Sequence, residues 1–156
     1  EDILKPETVI IENDEDIFSS INYNSLKVYS KIDLLYKDYD GYYVIVDWKT
    51  GKVSESDKEQ LLVYAWYVIE QYNVHYSKIK GRIEYLLDGH AEEVIFKPED
   101  IQFIKEKVSN DLKIINYYLD DAILNKPKEK EVFQKTLKNY KCSNCKFRML
   151  CHEDIV

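Results

Sequence analysis

Apolar and polar residues alternate from Leu26 to Tyr36, the period of two expected of a half-buried strand. On that period Val28, Ile32, Leu34 and Tyr36 share one face, and Tyr29, Lys31 and Asp33 share the other. Asp38-Tyr39-Asp40-Gly41 is a hairpin signal. Residues 42–49 then return as a second strand, with Val44, Val46 and Trp48 on one face and Ile45, Asp47 and Lys49 on the other. Such a hairpin brings Asp33 across from Asp47 and Lys49. Upstream, Thr8-Val9-Ile10-Ile11 reads as a short strand, followed by an acidic turn from Glu12 to Asp16.

After the turn at Thr50-Gly51-Lys52 the period changes to that of a helix. Ser56-Asp57-Lys58-Glu59 fits a capping box at its start. Leu61, Leu62, Ala65, Val68, Ile69 and Tyr72 make its apolar stripe, and Gln60, Tyr64, Tyr67 and Gln71 form a second stripe beside it. Strands are predicted at 79–87 and 92–96, joined through Asp88-Gly89 with His90 in the turn. Pro98 suits the first turn of a long helix, where Glu99 and Asp100 favour its positive end. A 3/4 spacing from Ile101 through Ile104, Val108, Leu112 and Ile115 to Leu119 and Ala122 carries that helix to Asn125-Lys126-Pro127. The element order implies an α/β fold with a central mixed sheet flanked by helices, ending in a short C-terminal cysteine tail. It divides into a core at 1–125 and a basic linker with the cysteine tail at 126–156.

Composition narrows the class. At 156 residues and 45% hydrophobic, the chain can bury one ordinary core. Few Gly and Pro argue against disorder. No apolar run approaches the roughly 20 residues of a membrane span, and no signal peptide is visible. Net charge is −7, yet residues 126–148 hold eight Lys/Arg against two Asp/Glu. An acidic body beside a basic tail is compatible with a nucleic-acid partner and equally with a solvated charge pattern. Cys142, Cys145 and Cys151 are the only cysteines. Their odd number and tight clustering favour a metal or cluster site over disulfides, and a reducing, cytoplasmic location.

Asp33 and Asp47 are hard oxygen ligands suited to Mg²⁺ or Mn²⁺, and Lys49 can orient a nucleophile or offset charge on a phosphoryl group. Gln60 and Tyr64, four apart on one helix face, can hold the lysine or touch a nucleic-acid backbone. Asp-x-Lys alone is also the spacing of an ordinary surface ion pair at a turn entry.

The order of the motifs is more specific than any one of them. Ser30-x-x-Asp33, then Asp47-Trp48-Lys49-Thr50-Gly51, then Gln60-x-x-x-Tyr64, resembles the PD-(D/E)XK nuclease superfamily. Within it, the likeness is to the RecB-like branch, which includes CRISPR-associated exonucleases and helicase-linked nuclease domains. The spacing of Cys142, Cys145 and Cys151 is similar to that branch's C-terminal cysteines. The resemblance implies a restriction-endonuclease-like core and a metal-dependent deoxyribonuclease of exonuclease type. It implies a place in a longer DNA-processing or repair protein, with a helicase or other DNA-processing subunit as partner. Asp33 and Asp47 would bind Mg²⁺ or Mn²⁺, Lys49 would be catalytic, and Gln60 and Tyr64 would support it. The three cysteines would hold a [4Fe–4S] cluster whose fourth ligand lies before Glu1.

Ser30 stands where the family usually has Gly, and a helix bearing a metal-site His is expected upstream of Glu1. His75 and His90 do not occupy that histidine's place and read as surface residues, His152 is a poor fourth cluster ligand beside Cys151, and Glu12 is a further acidic candidate. The alternative is a nuclease-fold module that binds DNA or serves as a scaffold without turnover. A third reading is a zinc- or cluster-binding interaction domain in which the Asp/Lys pattern is coincidental.

Overall fold

The computed structural model describes residues 9–13, 19–24, 26–135 and 139–151. Two compact units result, Glu1–Val108 and Ser109–Val156. The first carries strands β1 (Val9–Asn13), β2 (Ser19–Tyr23), β3 (Leu26–Ser30), β4 (Leu34–Lys37) and β5 (Tyr43–Lys49), then helix α1 (Glu55–Tyr72). Strands β6 (Ile79–Tyr85) and β7 (His90–Ile95) follow, and then helix α2 (Pro98–Tyr117), whose first turns belong to this unit.

Five strands form a mixed sheet in the order β1-β4-β5-β6-β7. The β5–β6 pair is parallel and the other pairs are antiparallel. Parallel neighbours need a crossover, and α1 supplies it. The fold is therefore α/β, with a central mixed sheet flanked by helices. One face of the sheet contributes Leu35, Ile45 and Ile83 to a core shared with Leu61, Ala65 and Val68 of α1 and with Ile101 and Ile104 of α2. Residues Leu34, Tyr36, Val44 and Val46 form a second, smaller cluster, as the alternation along β4 and β5 requires.

Close approach rather than turn geometry fixes one glycine. A Cβ at Gly81 would lie 2.8 Å from Phe96 Cζ and 3.0 Å from Leu61 Cδ1, so only hydrogen leaves room for those side chains.

The predicted strand at 26–36 is in fact two. β3 pairs with β2, which the sequence reading missed, in a separate two-stranded sheet, whereas β4 joins the main sheet. The chain bends between them, so Ile32 packs in the larger core and Leu34 in the smaller. Asp33, inside that bend, spends its carboxylate on the backbone N–H of Trp48, a local competitor to ladder pairing. Further upstream, Glu12 and Asn13 belong to β1 and not to an acidic turn, and residues 14–16 lie outside the described residues.

The start of α1 also shifts. Ser54, in extended backbone, is the N-cap, and Asp57 closes the capping box with an acceptor 3.0 Å from the Ser54 N–H. Asp57 wins over Glu59 because Tyr85 holds the same carboxylate oxygen through its hydroxyl at 3.1 Å. Five consecutive residues, Tyr64 to Val68, are buried, so the helix is enclosed on more than the expected stripe; Leu62 and Ile69 are only partly buried and Gln71 is exposed. His90 begins β7 rather than occupying a turn, exposed and stacked on Tyr85 at 5.9 Å. His75 lies in the helix–strand connection as expected.

The second unit continues α2 to Tyr117 and adds β8 (Leu119–Asp121), β9 (Lys126–Pro127), α3 (Asn139–Cys142) and α4 (Arg148–Cys151). Helix α2 stops short of the predicted end near Asn125. Asp120 and Asp121 would oppose the negative end of the helix dipole, and Asp121 instead accepts the N–H groups of Ile123 and Leu124 at 2.8 and 3.0 Å in a turn. The resulting hairpin straddles residues 125 and 126, where the sequence places the start of the basic linker. None of the described residues from 109 to 151 is buried. Among the described residues no helix is long and apolar enough to cross a membrane.

Candidate active site

Asp47 and Lys49 are set by the pleat of β5. Residues two apart face the same way, so the alternation that buries Ile45 beneath α1 carries Asp47 to the same face and Lys49 to its rim. Asp47 is 2% exposed and Lys49 21%. Lys49 Nζ lies 2.7 Å from Asp47 Oδ2. The contact has the length of an ion pair without the direction of a hydrogen bond, and no other described group donates to that oxygen. Burial pushes the Asp47 carboxyl above the usual range; Lys49 opposes the shift, and the charges of Asp33 and Asp57 add to it.

Asp33 sits just before β4, whose register pairs Leu34 with Val46. It therefore approaches β5 beside Asp47, and its Oδ2 accepts the Trp48 N–H at 2.9 Å. One carboxylate oxygen is thus spent on fixing the group between the two catalytic candidates of β5. Ser30, at the end of β3, is buried with its Oγ unpartnered among the described residues.

Helix α1 supplies the other two motif residues. Gln60 Oε1 accepts from Lys49 Nζ at 2.6 Å, which leaves its amide NH₂ to donate to the Tyr64 hydroxyl oxygen. The orientation follows from Lys49, which can only donate. The Tyr64 hydroxyl is held protonated: burial raises its pKa, the Gln60 bond opposes, and the negative charges of Asp47 and Asp33 raise it further. Lys49 has three N–H donors; one is spent on Gln60 while the ammonium lies against Asp47 as an ion pair, which leaves an N–H for a water or a phosphoryl oxygen.

The five motif residues thus come from the bend before β4, the C-terminal end of β5 and the first turns of α1. Two further groups, which the sequence reading did not single out, border them. Asp57 acts on Asp47 through its charge, and Tyr85, paired in register with Lys49, is 1% exposed and has its pKa pushed up to about 12 by burial and by its bond to Asp57. The Ser54-x-x-Asp57 capping spacing was the one signal for Asp57.

Two carboxylates of different character, one buried with an oxygen that has an ion-pair partner but no directed donor and one half-buried, are a donor set that fits a hard divalent cation. Such an ion takes one or two protein carboxylates and completes its shell with water and phosphate. The cysteines fit less well. Cys142, Cys145 and Cys151 are free thiols, and among the described residues no three His, Cys, Asp or Glu side chains are grouped as metal ligands. Phe147, Met149 and Leu150, in and just before α4, are exposed. The side chain of Glu12 and all of His152 lie outside what is described.

The family model of the PD-(D/E)XK nuclease superfamily matches residues 4–152. The chain belongs to that superfamily. Among solved structures it is similar to one titled "Structure of EndoMS-dsDNA2 complex", at 19% identity and a TM-score of 0.32, over 49% of this chain. The match spans 27% of that other chain, and a likeness so slight carries no argument about the site. No curated protein matches the chain. Superfamily membership gives the Asp33, Asp47 and Lys49 cluster its context, because the superfamily is named for the acidic and lysine residues of this motif.

Proposed function

We propose that the chain hydrolyses phosphodiester bonds in DNA with Mg²⁺ or Mn²⁺ held by Asp33 and Asp47. The observation that carries the reading is the buried Asp47 carboxylate. Its Oδ2 has Lys49 as ion-pair partner and no directed donor, a cost in folding that a bound cation would repay. A divalent cation there supplies Lewis-acid chemistry, making water a better nucleophile and drawing charge from a phosphoryl oxygen.

The chain's own residues do the rest. Lys49 directs its remaining N–H at the attacking water or at the phosphoryl oxygen that gains charge. Gln60 fixes the lysine's rotamer, and Tyr64, kept protonated, fixes the Gln60 amide in turn. Asp33, by gripping the Trp48 N–H, sets the spacing of the two carboxylates.

In the same reading cleavage is of exonuclease type, the affinity is with the RecB-like branch, and the partner is a helicase or other DNA-processing subunit in the cytoplasm. Residues 1–125 would act as the nuclease core and 126–156 as its basic linker and cysteine tail. An iron–sulfur centre is part of this reading only with a fourth ligand, and no step above depends on it. The test is release of nucleotides from DNA in Mg²⁺ or Mn²⁺, which Asp47→Ala should abolish.

The second reading is a nuclease-fold module that binds DNA without turnover. Calorimetric Mn²⁺ binding with no cleavage of single- or double-stranded DNA would establish it.

A further inference from the structure

Three aromatic rings in the second unit form a continuous run. Tyr117, the last residue of α2, meets Tyr118 edge-on at 5.1 Å, and Tyr118 stacks on Phe133 at 5.0 Å with an interplanar angle of 20°. Lys128 Nζ lies 4.8 Å from the centre of the Tyr117 ring. The mount is built from backbone bonds. Lys128 N–H donates to the Tyr118 carbonyl at 2.9 Å, and Phe133 N–H closes a 3-10 turn on Lys130 at 3.1 Å. Despite these contacts, Tyr117 is 61% exposed and Phe133 43%.

Rings left in water on a fixed mount, in a unit with no buried described residue, mark a surface that receives something. The local charge says what. The rings' own stretch, 117–133, is nearly balanced, with three Lys against four Asp/Glu and Lys126 held by Asp120 at 2.6 Å. The chain that follows, 134–148, holds five Lys/Arg and no Asp/Glu, so a polyanion is the occupant this basic stretch complements. Aromatic faces beside cations suit unpaired bases, whose faces stack on the rings while the phosphates meet the lysines. A duplex offers phosphates but hides its base faces.

We propose that Tyr117, Tyr118 and Phe133, flanked by Lys128, are a stacking platform for the bases of single-stranded nucleic acid. The proposal deepens the nuclease reading by assigning the second unit a grip on an unpaired strand.

The test is anisotropy of a labelled oligo(dT) of about 12 nucleotides, within the site sizes usual for such surfaces, with the full chain and divalent ions chelated so that nothing is cut. Tyr117→Ala and Phe133→Ala should each weaken binding about tenfold, as loss of one stacked base does. Tyr117→Phe and Phe133→Tyr should bind as the wild type, which separates ring chemistry from folding. Lys128→Gln should flatten the dependence of log affinity on log salt by about 0.7, and blunt duplex binding should change less than oligo(dT) binding.

Alanine variants that bind oligo(dT) as the wild type does, or that weaken duplex and oligo(dT) equally, would overturn the proposal. So would ring-dependent binding to phosphatidylserine vesicles without ring-dependent binding to oligo(dT). DNA cleavage in Mn²⁺, measured in parallel, keeps the two readings apart. Ring-dependent binding without cleavage refutes the nuclease and leaves the platform, while cleavage without ring-dependent binding does the reverse.

Discussion

Asp33 Oδ2 accepts the backbone N–H of Trp48 at 2.9 Å, across fifteen residues of sequence. That bond ties the bend before β4 to the peptide that lies between Asp47 and Lys49. The bend and the site geometry are therefore one matter here: the residue that lies where the strand is interrupted is the residue that registers the two carboxylates.

Asp47 costs stability in the absence of a cation. Burial raises its pKa, so at neutral pH the folded state carries a carboxylate it disfavours. Replacing it with a neutral amide should stabilise the metal-free chain. Asp47→Asn in chelator is expected to melt about 2–4 °C above the wild type, the shift for roughly 1 kcal/mol in a domain of this size. A variant that melts lower would show that the Lys49 ion pair outweighs the desolvation.

Lys49 depends on Gln60 for its position. Removing the amide in Gln60→Ala leaves the lysine one partner short without touching the carboxylates. Single-turnover cleavage is expected to slow about tenfold or more, the worth of a hydrogen bond to a charged group, with little change in DNA affinity. An equal loss in affinity would make Gln60 a DNA contact instead.

Gly81 tests the fold independently of the chemistry. Alanine there would drive a methyl against Phe96 and Leu61. Gly81→Ala should cost about 1–3 kcal/mol in urea denaturation with an unchanged slope.

The architecture could be read from the sequence because β4 and β5 are short apolar runs on either side of a hairpin signal, β6 alternates, and α1 and the first turns of α2 keep a helical stripe. The site could be read for the same reason: a pleat of period two forces Asp47 and Lys49 onto one face, and a four-residue step puts Gln60 and Tyr64 on one side of α1. What could not be read depended on contacts distant in sequence. Nothing near Asp33 announces that its carboxylate will capture Trp48 and split one strand into two. Nothing near Asp57 shows that Tyr85 will hold it and so move the helix start to Ser54. The apolar spacing beyond Val108 was helical in pattern, yet without burial to reward it, Asp120 and Asp121 ended α2 early.

Tyr85 makes the fold sensitive to alkali. Its pKa is raised to about 12 in the folded chain against an ordinary value near 10. A phenol held neutral by folding contributes stability that is fully present below the unfolded pKa and is lost as pH rises through the folded one. The melting-temperature advantage of the wild type over Tyr85→Phe should therefore be constant at neutral pH. It should shrink from about pH 10 upward. A constant difference up to pH 12 would mean the hydroxyl is free to ionise.

The central claim is that Asp47, with Asp33 and Lys49, makes this chain a metal-dependent nuclease. Its most direct test is the rate at which the chain cuts end-labelled DNA in Mn²⁺, compared between the wild type and Asp47→Ala at equal folded concentration. The account predicts cleavage by the wild type that chelator stops, and none above background by the variant. Equal cleavage by the two proteins, or none by the wild type on either single- or double-stranded DNA, would contradict it.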